Sequence, residues 1–163
     1  MGTISEFENL GEKMKKILFS VLLFVATFAN ALSIGDATPT FDIKDQFEKT
    51  HKIGPDAKTI LVAGDKGTGV IIKEYLLKQD KGFVEANKIY YVADISGMPS
   101  LISKFFAIPK MKKYPFSVLL VDEEQTKSFS KKDDTITVYS VTDGKVSDIK
   151  YIKTAAELEA VFK

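Results

Sequence analysis

Three short, uninterrupted apolar runs constrain the fold most: Ile60 to Ala63, Ile89 to Ala93 and Phe116 to Val121. A strand with one wet face alternates apolar and polar residues. A strand buried on both faces does not, and such strands are usually parallel and joined by helical crossovers. Helical patterns do separate the runs. Val70, Ile71, Ile72, Tyr75 and Leu76 recur at helical spacing, as do Leu101, Ile102, Phe105 and Phe106. The spacing predicts a parallel β-α-β-α-β unit. Ser96 is placed to cap the second helix, with Pro99 in its first turn and Pro109 beyond its end. Tyr90-Tyr91 and Phe105-Phe106 read as sheet and core residues.

The flanks have a different character. Ile34 to Ile43 alternates around Pro39 and reads as extended chain, with His51-Lys52-Ile53 pairing back onto it and Gly54-Pro55-Asp56 as a turn. Thr135 to Val141 and Val146 to Ile152 are β-branched and aromatic, and Thr142-Asp143-Gly144 between them signals a hairpin. Thr154 and Glu157 form a capping box for a last helix with Leu158, Val161 and Phe162 on its apolar face. Ser128 to Asp134 is expected to be a mobile loop, and His51 a surface or hairpin residue.

Met14-Lys15-Lys16, the apolar run Ile17 to Phe28 and Ala29-Asn30-Ala31 follow the three-part layout of a secretory signal peptide. The expectation is export, to the periplasm or outside the cell, after cleavage following Ala31, with membrane contact only through residues 14–31 before cleavage. Residues 1–13 carry Glu6, Glu8 and Glu12 and read as an upstream leader or a start placed too early. The mature chain, 32–163, suits one domain.

Composition removes several classes of chemistry. The 163 residues include no cysteine, which excludes a thiol redox centre and a Cys-ligated metal site. All 23 cations are lysines against 22 acids, so neither a basic face nor an arginine fork for nucleic acid is expected. One histidine cannot build a multi-His metal site, and no metal is expected.

The order of elements, with Gly35-Asp36-x-x-Pro39-x-Phe41-x-x-x-Asp45 at the start, is similar to peroxiredoxin-type and other redoxin-like domains. Val121-Asp122-Glu123-Glu124 and the segment Val138 to Val146 resemble later strands of that family. Lys113-Tyr114-Pro115-Phe116-Ser117 resembles the YtfJ-type exported thioredoxin-like proteins. The resemblance implies a thioredoxin-like three-layer α/β sandwich, with a central mixed sheet, a C-terminal β-hairpin and a closing helix. Where redoxin-like enzymes carry their cysteine, this chain has Gly64-Asp65-Lys66-Gly67-Thr68-Gly69. No catalytic residue carries over. The family's cis-proline falls on Pro115 in one register and near Thr135 in another.

Gly64, Asp65, Lys66, Gly67, Thr68 and Gly69 join a buried strand to a helix, where free amides and the dipole suit an anion. Asp94 and Ser96 belong to the next such turn and could share a crevice with them; Asp65 and Asp94 could pair as carboxylates. The spacing matches neither G-x-G-x-x-G nor a P-loop. Lys113, Tyr114, Pro115 and Phe116 are candidate partner contacts, on the same face as the glycine turn. The leading expectation is a non-catalytic exported module with a protein partner and no cofactor. The alternative is an oxidoreductase or its accessory holding a flavin or nucleotide phosphate at Gly64 to Gly69.

Overall fold

The computed structural model describes residues 30–163; the signal-peptide and leader expectations for 1–29 lie outside the described residues. Seven strands form one mixed sheet: β1 (Ile43–Asp45), β2 (Thr50–His51), β3 (Thr59–Ala63), β4 (Ile89–Asp94), β5 (Val118–Val121), β6 (Ile136–Thr142) and β7 (Lys145–Ile152). Their spatial order is β2-β1-β5-β4-β3-β6-β7. The three apolar runs become the parallel centre, β3 beside β4 and β4 beside β5. β6 and β7 add antiparallel on one side, and β1 and β2 on the other.

Alternate strand residues feed two separate cores. Leu61, Tyr91, Val118 and Val138 face one way, under helix α1 (Lys66–Leu77), the short helix α2 (Phe83–Ala86) and helix α4 (Ala155–Val161), through Ile72, Leu76, Val84 and Leu158. Ile60, Val62, Val92, Leu119 and Tyr139 face the other way. There they meet Leu32, Ile53, Ala57 and Phe129. The third layer of the sandwich is therefore irregular chain rather than helix.

The segment 100–111, here α3, is helical throughout but not regular. Ser100–Ile102 and Ile108–Met111 are α-helical and Ser103–Ala107 between them is a π turn, in which the Ile108 amide donates to the Ser103 carbonyl. Pro109 has no amide and its ring crowds the preceding turn, and a widened turn relieves both defects. Pro109 thus lies inside the helix instead of beyond it. Ser96 does not cap it; Pro99 precedes the first turn and no side chain caps it. A larger departure concerns Phe105 and Phe106, expected in the core. They are 62% and 68% exposed. Only small or half-buried residues of α3, Ser103, Ala107 and Met111, turn inward.

The hairpin-turn and capping-box signals hold, and the extended stretch holds only at its end. The two-residue turn of the β6–β7 hairpin is Asp143-Gly144, both left-handed as a primed turn requires. Thr154 and Glu157 cap α4 reciprocally. Of the stretch 34–43, only Ile43 enters a strand, while Ala37 bridges to Lys145.

Candidate functional site

β3 and β4 run parallel, so the turns after Ala63 and after Asp94 emerge at the same carboxyl edge. The structure thereby brings Gly64 to Gly69 and Asp94 to Ser96 to one side of the sheet. A segment that the sequence marked only as mobile joins them. Residues 130–135 cross between the two turns and are held at Ser130, Lys131, Lys132, Asp134 and Thr135.

The first turn is built around Asp65, the N-cap of α1. One carboxylate oxygen accepts from the Thr68 amide at 2.9 Å and the other from the Asp134 amide at 2.9 Å. The Thr68 hydroxyl accepts from the Asp65 amide at 3.0 Å, completing a capping box. The Thr68 amide bond, then those from Asp134 and Gly67, outweigh partial burial and hold the Asp65 carboxyl below its ordinary range. Gly64 donates to the Thr135 carbonyl at 3.0 Å. A methyl on Gly64 would lie 2.5 Å from the Lys132 carbonyl oxygen and 2.6 Å from that of Thr135. The glycine is there because two backbone strands approach too closely for any side chain.

The second turn is held by Asp94, whose carboxylate accepts from the Ser96 amide at 2.8 Å and pairs with Lys131. Burial would raise its pKa, but the Lys131 ammonium and the Ser96 bonds prevail and lower it. Ser130 is fixed by three groups: its amide donates to the Tyr139 hydroxyl at 2.6 Å, its hydroxyl meets Tyr151 at 2.8 Å, and its carbonyl accepts from Thr137. Lys132 stands 3.6 Å over the Tyr151 ring. The expected mobile loop is thus a pinned bridge, held through the Ser130 hydroxyl, Lys131, Lys132 and the Asp134 amide, while the Asp133 and Asp134 side chains are exposed.

This geometry redefines the candidates. The amide of Thr68, which an anion would need, is already taken by a carboxylate of the chain itself, and Asp65 places negative charge at the helix start. Asp65 and Asp94 are each engaged with separate donors and both titrate low; two carboxylates sharing a site would drive one pKa up. Lys66 and Gly67 are exposed at the first helical positions. No histidine reaches this edge, since His51 lies on β2.

Lys113 to Phe116 precede β5, whereas Gly64 follows β3, and β3, β4 and β5 are parallel. The two segments therefore lie at opposite edges of the sheet, and the single surface expected to hold both does not exist. Tyr114 is half-buried, its ring 5.5 Å from that of buried Phe116, and burial raises its pKa. Pro115 and Phe116 border a groove of about 190 Å³ with Leu76, Gly82 and Phe83. A larger groove of about 440 Å³ lies between α1 and α4, lined by Ile71, Tyr75, Phe83 and Phe162, again away from the glycine turn. Pro115 is not cis, as no described peptide bond is. The residue that precedes β6 and whose carbonyl accepts from the Gly64 amide is Thr135.

Sequence reading missed a second polar centre at this amino edge. Asp45, 3% exposed, accepts from the Phe47 and Lys49 amides at 2.8 and 3.0 Å, from the Ser117 hydroxyl at 3.0 Å and from His51 at 2.7 Å. Beside it the fully buried Gln46 donates to the carbonyls of Met111 and Phe116 and accepts from the Val118 amide. Ser117 and His51 both face the carboxylate and not each other, so this is a structural clamp and not a nucleophile with its base. Among the described residues no cluster of three or more His, Cys, Asp or Glu side chains could hold a metal ion.

No family model matches the chain, and no curated protein matches its sequence. Solved structures do match its fold. A proposed thiol:disulfide interchange protein DsbE from Chlorobium tepidum superposes with a TM-score of 0.55 at 14% identity, covering 81% of this chain and 94% of that one. The thioredoxin domain of a thiol-disulfide oxidoreductase from Bacteroides vulgatus gives 0.53 at 17% identity, covering 82% of this chain and 100% of that domain. A peroxiredoxin-like protein from Aquifex aeolicus gives 0.50 at 10% identity, covering 78% and 81%. At such identities the likeness establishes the thioredoxin-like fold of this cysteine-free chain.

Proposed function

We propose that this chain is an exported, non-catalytic thioredoxin-like module that binds a protein partner at the carboxyl edge of its sheet. One observation carries the reading. The turn where its thiol-using structural relatives would place chemistry holds no nucleophile and is closed on itself, with Asp65 capping α1 and residues 132–135 lying over Gly64. Such a turn presents a fixed shape and no reactive group. The segment Met14 to Ala31 supports export. Asp65 disfavours the alternative, a flavin or nucleotide phosphate at Gly64 to Gly69, because its carboxylate occupies the anion's place.

Photo-crosslinking in the exporting cell tests this. A benzophenone side chain at Lys66 or at Ser96 should give an adduct with one and the same protein, and one at Lys113 should not. Adducts only from Lys113, or only from Phe162 at the end of α4, would place the interface elsewhere and end the proposal. In a phosphate titration, early shifts of Lys66 to Val70 would favour the alternative.

A further inference from the structure

An ordinary amphipathic helix turns its large apolar residues inward. α3 does the reverse. Leu101, Ile102, Phe105 and Phe106 are 68%, 47%, 62% and 68% exposed, while Ser103 is buried. Four large exposed apolar side chains within six residues, on one helix, form a patch of the kind that marks an interaction surface. The same stripe continues through exposed Pro109 to exposed Lys112 and Lys113. From Ile95 to Val121 the chain has four lysines, Lys104, Lys110, Lys112 and Lys113, and no acid. Among the described residues none of the four is in an ion pair, although lysines elsewhere in the fold are.

We infer that α3 docks the protein onto an anionic lipid surface. Phenylalanine and leucine on one side with lysines at the margin is the composition of helices that lie in the headgroup region. The rings and branched chains are largely exposed and line neither of the two grooves described above. Exposed groups without hydrogen-bonding capacity, flanked by unpaired lysines, suit a soft apolar layer with an anionic surface better than a polar protein pocket. The lysines would meet the phosphates at the level the apolar groups leave. A second copy fits less well. The four side chains expose on the order of 500 Å², against roughly 800 Å² per partner in a stable interface. Two copies meeting through α3 would also bring eight lysines together without acids. The inference rests on α3 alone and is independent of the partner proposed for the carboxyl edge.

The chain has no tryptophan, so Phe106→Trp in the full chain is a single local probe. Its emission should shift to the blue on vesicles of phosphatidylcholine with about one third phosphatidylglycerol, and less on phosphatidylcholine alone. Phe162→Trp, at the C-terminal end of α4, should not shift. This comparison separates contact by α3 from attachment through residues 17–28. Added salt should reverse the shift as the lysines are screened. Phe105→Ser with Phe106→Ser should lower the α3-dependent part of the vesicle affinity on the order of 100-fold, about tenfold per ring. Two results would overturn the inference: no shift of the Phe106→Trp emission on anionic vesicles, or an equal shift on neutral ones. A concentration-dependent shift without lipid, accompanied by dimerisation, would assign the patch to a second copy instead.

Discussion

Replacing Gly64 by alanine would place a methyl group 2.5 Å and 2.6 Å from two backbone carbonyl oxygens. Real contacts of this kind need more than 3 Å, and neither oxygen belongs to a flexible side-chain end. The 132–135 backbone would have to move. It cannot move alone, because the Gly64 amide bonds Thr135, the Asp134 amide bonds Asp65, and Lys131 holds Asp94. Overpacking in a constrained site costs about 1–3 kcal/mol. Loss of one or two of the bonds adds about 0.5–1.5 kcal/mol each. The expected destabilisation is therefore about 2–4 kcal/mol, read as a shift of the urea midpoint followed by circular dichroism. Gly67→Ala supplies the control. Gly67 is exposed in the first turn of α1, and its new methyl would meet only the Asp65 side chain at 3.2 Å. There the gain in helix propensity, about 0.5–1 kcal/mol, roughly offsets the crowding. If Gly64→Ala unfolded within about 0.5 kcal/mol of the parent, residues 132–135 would be free to yield and the closed turn would be wrong.

Asp45→Ala leaves four donors without their acceptor in a nearly dry site, and should cost about 3–5 kcal/mol in the same assay. Burial would raise the Asp45 pKa, but the His51, Phe47, Ser117 and Lys49 bonds lower it on balance. With the folded value below the unfolded one, its contribution is complete above about pH 5 and is lost as pH falls below about 4. Urea midpoints measured from pH 6 down to pH 3 should fall less steeply for Asp45→Asn than for the parent. A double-mutant cycle on Lys131→Ala and Asp94→Ala should return a coupling of about 1 kcal/mol, above the median for exposed pairs because the carboxylate is largely covered. Finally, a cysteine at Lys66 should not be an activated thiol.

The sequence made the fold legible because its signals are local and agree with one another. Continuous apolar runs specify buried parallel strands, Asp143-Gly144 specifies the hairpin, and Thr154 with Glu157 specifies a helix start. The candidate site was legible only as a place. That Gly64 to Gly69 and Asp94 to Ser96 share an edge follows from two parallel strands, and it did. What the turn does depends on partners far along the chain: Asp134 lies 69 residues from Asp65, and Lys131 lies 37 from Asp94. No periodicity records such pairs, so the charged run after Ser128 read as a mobile loop although Lys131, Lys132 and the Asp134 amide are engaged. The error at Phe105 and Phe106 has a related cause. A helical repeat of apolar residues marks a face to be covered, and from sequence alone the protein's own core is the default cover.

The cysteine prediction follows from the state of the α1 terminus. A thiol at the start of a helix is usually activated because free amides and the positive dipole end stabilise the thiolate. Lys66 is the first residue of α1, the position where that effect is available. Here Asp65 adjoins it, takes the Thr68 amide and is held ionised by that bond and those from Asp134 and Gly67. Its negative charge opposes a neighbouring thiolate. For Lys66→Cys the thiol pKa, from the pH dependence of the iodoacetamide rate, should lie at or above the usual value of about 8.5. Adding Asp65→Asn removes the charge while an amide oxygen can still accept from Thr68, so the pKa should then fall, by about one unit or less for a site open to water. A thiol already depressed to about 7 or lower in the single variant would contradict this. It would mean that the helix terminus remains open despite Asp65, and that the anion-binding reading of Gly64 to Gly69 should be restored.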